Sequence, residues 1–299
     1  MSLEPSLPAG SSGAEQFDRP SGPPLVDADW LATHRQDVVL FQVDDDSAAY
    51  YENHIPGALP LATYDELYER VRRSPLTRTH FEELMQVKGV RPEDHVVFYS
   101  AGDGNYAAFA YWLMRLYGHR RLSLLDGGLQ GWIRKGRRTD TEVPDVAVVP
   151  SGPGYRSSGL NSWAMLERDE LLRSYVERPH PALLLDCRTP AEYEGSGRHA
   201  LDLPVERHRV TGHIAGSRNV PSGSMLQGPY FRPVDELREA FAEAGLTAES
   251  DVAVYCRVAE RSSLLWFVLS ELLHHPRVRH YVGGWAEYGS LVNVPVARS

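Results

Sequence analysis

"VAVYCRVAERSSLLWFVL", Val252–Leu269, is the stretch on which the reading of this chain turns. A β-branched run ends at Cys256, and an apolar stretch with helical spacing begins a few residues later. Between them lies Arg257-Val258-Ala259-Glu260-Arg261, a short loop with two arginines. A strand that leaves through a loop and re-enters as a helix points that helix's free N–H groups back at the loop. Those donors, with the positive end of the helix dipole, favour an anion, so a thiol there is held as thiolate. Arg257 and Arg261 add to the same field. A free cysteine titrates near ~8.5, and such surroundings bring values to about 3.5–7.5. Cys256 therefore reads as a nucleophile, ionised at neutral pH. The bland alternative is an inert buried thiol, but two arginines are costly neighbours for apolar packing unless they are paired.

Working outward, the chain repeats itself. A slide of 156 residues lays His95–His119 on Asp251–His275 and Leu124–Trp132 on His280–Tyr288 without a gap. Val96, Tyr99, Leu113, Leu116, His119, Arg121, Gly127 and Gly128 all meet an identical partner. Upstream, "HIPGA" (His54–Ala58) matches "HIAGS" (His213–Ser217) after a three-residue shift. A period this long is a domain duplication, since solenoid units run about 20–50 residues.

Each copy alternates strands with helices. In the second, "PALLLD" is a short buried strand, and "FRPVDELREAFAEAG" has helical apolar spacing closed by Gly245. "DVAVY" is the next strand, "SSLLWFVLSELLHH" the next helix and "VRHYVGG" a final strand. Such alternation predicts an α/β fold, each copy a mainly parallel sheet with helices on both faces. The expected divisions are a disordered arm over 1–24, a first domain over 25–137, a linker over 138–159 and a second domain over 160–299. The arm is rich in Gly, Pro and Ser and lacks the basic start and apolar core of a secretion signal. The linker composition predicts a solvent-exposed segment, with packing across both domains as the alternative.

Composition narrows the function. The chain has 299 residues, 42% of them hydrophobic and 10% aromatic, which is ample for packed cores. A net charge of −9 argues against nucleic acid or an anionic membrane as partner. No apolar run approaches the ~18 residues of a membrane span. Two cysteines, Cys187 and Cys256, are too few for a disulfide framework and point to a reducing, cytoplasmic setting. None of the twelve histidines has metal-ligand spacing with a cysteine, so no zinc is expected.

Spacing separates two thiol chemistries. Phosphatases that form a cysteinyl-phosphate place five residues between Cys and Arg. Here Cys256 and Arg261 are separated by four, and the next position is Ser262. The tighter loop suits a single sulfur atom better than a phosphoryl group.

With "DCRTPAEYEG" (Asp186–Gly195), "GHIAGS" (Gly212–Ser217), "VYCRVAERS" (Val254–Ser262) and "GGWAEYG" (Gly283–Gly289), the chain from about residue 25 onward resembles the tandem-domain rhodaneses, specifically the bacterial thiosulfate sulfurtransferases. The resemblance implies two rhodanese-like domains, of which only the second keeps the nucleophile. The residues agree: Ser100, Ala101 and Asn105 stand where Cys256, Arg257 and Arg261 stand in the other copy. "LFQVDDD" (Leu40–Asp46) likewise lacks Asp-x-Arg.

The resemblance further implies that Cys256 thiolate takes the outer sulfur of thiosulfate and passes it from a persulfide to cyanide or a thiol, without metal or organic cofactor. Loop N–H groups through Val258, Ala259, Glu260 and Ser262 would cradle the persulfide. Arg257 and Arg261 would attract the donor, and Arg188, supported by Asp186, would either orient it or brace the loop. A basic residue directly after the cysteine resembles the thiosulfate enzymes, whereas mercaptopyruvate enzymes carry "CGSG". Mercaptopyruvate is thus the alternative donor, and a persulfide carrier serving a partner protein the alternative role. One departure stands out: the arginine that animal-type members place before an aromatic is Glu192 here, before Tyr193. Arg198, His199, Arg207, His208 and Arg209 are candidate replacements. Glu260 is expected to hold Arg261 or Arg257, and His213 to bond the backbone. Cys187 reads as buried packing, able to resolve an oxidised Cys256 were the two adjacent. Trp285 and Tyr288 are expected beneath the site, with Trp285 alternatively walling it.

Overall fold

The computed structural model describes residues 20–69, 71, 74–144, 154–177, 182–197 and 210–298. The predicted α/β architecture and its duplication are both present. One five-stranded sheet runs, in spatial order, Leu25–Val26, Leu122–Leu125, His95–Tyr99, Val38–Asp44 and Leu59–Ala62, with all neighbours parallel. The other repeats that order with Met165–Leu166, Val278–Tyr281, Asp251–Tyr255, Ala182–Asp186 and Arg218–Asn219, again all parallel. The central strand of each is an unbroken apolar run because helices cover both faces. Val252, Ala253, Val254 and Tyr255 are all fully buried.

The two copies meet through equivalent helices, Asn105–Leu116 and Glu260–Phe267. The first is buried almost all round, being packed between its own sheet and the other copy. Tyr111 lies edge-on to Phe267, ring centroids 5.0 Å apart, and Arg115 pairs with Glu271. Each of these pairs joins residues related by the 156-residue shift. Self-contact of equivalent positions is what an isologous interface about a two-fold axis produces, so the copies pack like the halves of a dimer.

Two boundaries need correction. Of the expected disordered arm, residues 1–19 lie outside the described residues, but 20–24 are docked. Ser21 N–H donates to the Arg120 carbonyl at 2.8 Å, and the Pro24 carbonyl accepts from Leu124 N–H at 2.8 Å, because the edge of the first sheet has backbone groups to satisfy. Of the expected linker, 145–153 lie outside the described residues, and the flanks are not simply exposed. Asp140 and His54 exchange backbone hydrogen bonds. Tyr155 is 3% exposed, stacks on Phe81 edge-on and bonds His119 Nδ1 at 2.9 Å. An aromatic side chain of this size gains more by covering the first core than by remaining in water.

Candidate active site

The strand Asp251–Tyr255 ends at Cys256, and the helix Glu260–Phe267 starts four residues on. The intervening loop is held by the turn that follows the last strand. Trp285 N–H donates to the Cys256 carbonyl at 2.8 Å and Ala286 N–H to the Arg257 carbonyl at 2.9 Å. Those two bonds tie the loop backbone to the turn behind it. The approach requires glycine: Gly284 has φ +53, and a Cβ there would lie 2.5 Å from the Arg257 oxygen. Gly128 does the same against Ser100 in the first copy.

Around Cys256, itself 1% exposed, polar groups converge. Ser262 Oγ lies 3.3 Å from the sulfur, and Ser262 N–H also donates to it. Burial alone pushes the thiol up. The Cys187 thiol hydrogen bond, the Arg261 charge and both Ser262 donors outweigh that and hold Cys256 at about 5. With its pKa held there, the side chain is a thiolate at neutral pH, through Cys187, Arg261 and Ser262 rather than through both loop arginines.

Ser262 has one hydroxyl proton, and His280 directs it. His280 is fully buried, and burial drives its pKa down to about 3, so the ring is neutral. Its Nε2 is 2.6 Å from Ser262 Oγ, while Nδ1 has no hydrogen-bond partner. An N–H at Nδ1 would be a stranded donor, so the proton sits on Nε2 and points at Ser262 Oγ. The hydroxyl proton then has two acceptors, the Cys256 sulfur at 3.3 Å and the Ala259 carbonyl at 2.9 Å. Sequence reasoning missed His280, because nothing at its position in "VRHYVGG" announces a contact eighteen residues back.

Residues 27–135 and 168–291 each match the rhodanese-like domain family. The chain belongs to the rhodanese family. It is 38% identical over 275 residues to a Saccharopolyspora erythraea protein provisionally named a thiosulfate sulfurtransferase, covering 91% of this chain and 95% of that one. It is 35% identical over 278 residues to the sulfur carrier protein TtuD of Thermus thermophilus, covering 92% and 96%. Among solved structures, that of YnjE superposes with a TM-score of 0.80 at 24% identity, covering 92% of this chain and 68% of that one. The anaerobic ergothioneine biosynthesis enzyme of Chlorobium limicola, solved with trimethyl histidine, gives 0.76 at 21%, covering 92% and 70%. These two likenesses show the fold. The protein is thus a tandem-domain rhodanese with sulfurtransferase chemistry.

Within this rhodanese, Arg188 has the geometry of the bracing reading, one of its two expected roles: it is 2% exposed, its guanidinium bonds both Asp186 oxygens at 2.6–3.0 Å, and it donates to the Gly212 carbonyl at 2.7 Å. It also lies 4.7 Å from the Trp285 ring. It braces the strand end, the "GHIAGS" turn and the Gly284 helix together. Arg261 pairs with Glu192, not Glu260, through bonds of 2.8 and 3.1 Å. Glu192 is buried, which raises its pKa, but Arg261 and Thr189 hold it down at about 2. The departure from the animal-type arginine thus supplies a counter-charge for the loop, and Glu192 also closes a capping box with Thr189.

Glu260, expected to hold one of the loop arginines, instead reaches into the first copy, where Tyr68 Oη donates to it at 3.2 Å. Burial, then the Cys256 charge, raise Glu260 to about 7. Sequence reasoning missed Tyr68, because its contact joins positions 192 residues apart. Arg257 and Ala259 are buried beside the sulfur, and Val258 is half-buried. Trp285 and Tyr288 are fully buried, their rings stacked with centroids 5.9 Å apart. His213 bonds the Tyr193 carbonyl through Nδ1 at 2.8 Å. Arg198, His199, Arg207, His208 and Arg209 lie outside the described residues.

The first copy's loop is filled from within. Asp44 occupies the position of Arg188, and its carboxylate accepts the Ala101 N–H at 3.0 Å. Ser100 Oγ accepts from Ala107 N–H at 3.1 Å. Side chains of the first copy itself thus satisfy N–H groups of the loop and the helix start where the thiol is missing.

Proposed function

We propose that this rhodanese is a thiosulfate sulfurtransferase whose nucleophile is Cys256. The observation that carries the reading is the convergence of the Cys187 thiol, Ser262 hydroxyl and N–H, and Arg261 charge on one sulfur held near 5. The thiolate attacks the outer sulfur of thiosulfate, the S–S bond of the donor breaks, and sulfite leaves with its electron pair. The product is a Cys256 persulfide, an anion that the same donors stabilise. Cyanide or a small thiol then takes the outer sulfur and the thiolate returns, a two-step covalent cycle. Arg257 draws in the dianionic donor, in keeping with the thiosulfate-type residue after the cysteine.

The net negative charge and the two unbridged cysteines support small-molecule substrates and a cytoplasmic setting. Among the described residues no helix is long and apolar enough to cross a membrane. The carrier role draws support from the likeness to the Thermus protein. The 1% exposure of Cys256 favours a small acceptor. The test is incubation with thiosulfate, mass measurement, then cyanide. A gain of one sulfur and release of thiocyanate are expected. Faster turnover with mercaptopyruvate would reassign the donor, and sulfur uptake that discharges only to a protein would favour the carrier. Phosphate release from an aryl phosphate, without sulfur uptake, would overturn the reading.

A further inference from the structure

The strand Ala182–Asp186 pairs in parallel with Asp251–Tyr255, with Asp186 opposite Tyr255. The ladder continues one residue further, as Cys187 N–H donates to the Tyr255 carbonyl at 2.9 Å. Cys187 and Cys256 are therefore opposite one another at the strand ends. Paired residues share a face, and neighbouring strands are about 4.8 Å apart, inside the roughly 4.4–6.8 Å Cα separation a disulfide accepts. Both side chains are 1% exposed and belong to the same core cluster. The Cys187 thiol proton has two acceptors, the Tyr255 carbonyl at 2.8 Å and the Cys256 thiolate. Packing does not demand this thiol. In the first copy Gln42 stands opposite Tyr99, so the equivalent of Cys187 is Val43, fully buried in an intact core.

We infer that Cys187 is a resolving thiol that gives the protein a second reaction, discharge of the bound sulfur as hydrosulfide with formation of a Cys187–Cys256 disulfide. The inference rests on the persulfide reading above. Cys187 sulfur attacks the Cys256 sulfur of the persulfide, forming the Cys187–Cys256 bond. The bond to the outer sulfur breaks, and that atom leaves with the electron pair as hydrosulfide, together with the Cys187 thiol proton. The outer sulfur is reduced while the two cysteine sulfurs become a disulfide, so no external oxidant enters. A dithiol reductant then restores both thiols by exchange. Over the whole cycle thiosulfate and a dithiol become sulfite, hydrosulfide and the oxidised dithiol.

The rate is set to be slow. Burial, then the neighbouring Cys256 charge, push the Cys187 thiol well up, so little thiolate is present. An external acceptor therefore takes the sulfur when one is at hand, and Cys187 clears it when none is.

The test loads reduced full-length protein with one equivalent of thiosulfate, with no acceptor, and follows intact mass and free sulfide. A species one sulfur heavier is expected to decay to one two hydrogens lighter than the reduced chain, with one sulfide per chain released. Peptide mapping should then join Cys187 to Cys256. Cys187→Val, which copies the first copy's Val43, also removes one donor to the Cys256 thiolate and so should load more slowly; loaded to completion at pH 9, it should keep its sulfur, with sulfide release lost. A wild-type persulfide that persists, or equal sulfide release by the valine variant, overturns the resolving role and leaves the persulfide reading standing. Failure of both proteins to gain sulfur overturns the two together. If the variant fails to fold, the wild-type mass course and cross-link map decide alone.

Discussion

Arg115 and Glu271 occupy the same position in the two copies, and their side chains meet across the interface at 3.0 Å, each no more than 4% exposed. In a symmetric dimer that position would set like charge against like. Duplication let the two copies diverge, so the contact at the axis is complementary. Breaking a buried pair by removing one partner costs about 3–5 kcal/mol, because the other charge stays desolvated. Arg115→Met should therefore lower the denaturant midpoint strongly, and Arg115→Met with Glu271→Leu should recover most of the loss. Equal stability of single and double variants would show that the pair is not coupled.

Sulfur uptake by Cys256 should follow thiolate formation, with the rate rising through about pH 5 and flat above it apart from a step near 7 from Glu260. Glu260→Gln should remove that second step. The stability linkage has opposite signs for the two groups. Cys256 is depressed from 9.0 to about 5, so its contribution is full above about 9 and lost as pH falls toward 5. Glu260 is raised from 4.5 to about 7, so its contribution is full below 4.5 and lost as pH rises through 7. Between pH 7 and 9 only the thiol contribution changes. The unfolding midpoint should rise there in the wild type and lose that thiol-dependent rise in Cys256→Ser, which also abolishes sulfur uptake.

Ser262→Ala removes a hydroxyl hydrogen bond to a charged group, a contact worth about 1.5–3 kcal/mol, or about one to two pK units. The midpoint of the uptake profile should move upward by that amount while uptake at high pH survives. An unshifted midpoint would remove Ser262, and His280 behind it, from the stabilisation of the thiolate.

Arg261→Met should both raise the Cys256 pKa and destabilise the fold, because it leaves Glu192 buried without its partner. Adding Glu192→Met should restore stability and leave the thiol shifted. Recovery of the thiol in the double variant would mean that Arg261 acts only through packing.

Arg188 and Arg257 should separate by kinetic signature. Arg188→Lys loses the two-oxygen grip on Asp186, so thermal stability should fall with KM for thiosulfate little changed. Arg257→Gly should raise KM for thiosulfate several-fold. The opposite pattern would return Arg188 to the donor site.

The sequence alone determined the duplication and the α/β class, and it singled out Cys256 as the candidate nucleophile with no thiol at the matching position of the first copy. These are local or periodic signals: a 156-residue shift, an apolar run ending in Cys256, and a helix start carrying Arg261. Only the tertiary structure decided which charges pair, because Arg261 meets Glu192, Glu260 meets Tyr68, and Ser262 meets His280 through contacts between separate elements. It alone placed Cys187 against Cys256, since register between strands depends on how the sheet closes. Side chains far apart in the chain acquire partners only when backbones pack, and burial then makes each pairing matter. A solvated arginine stays charged beside any neighbour, whereas a buried thiolate persists only where specific donors replace water.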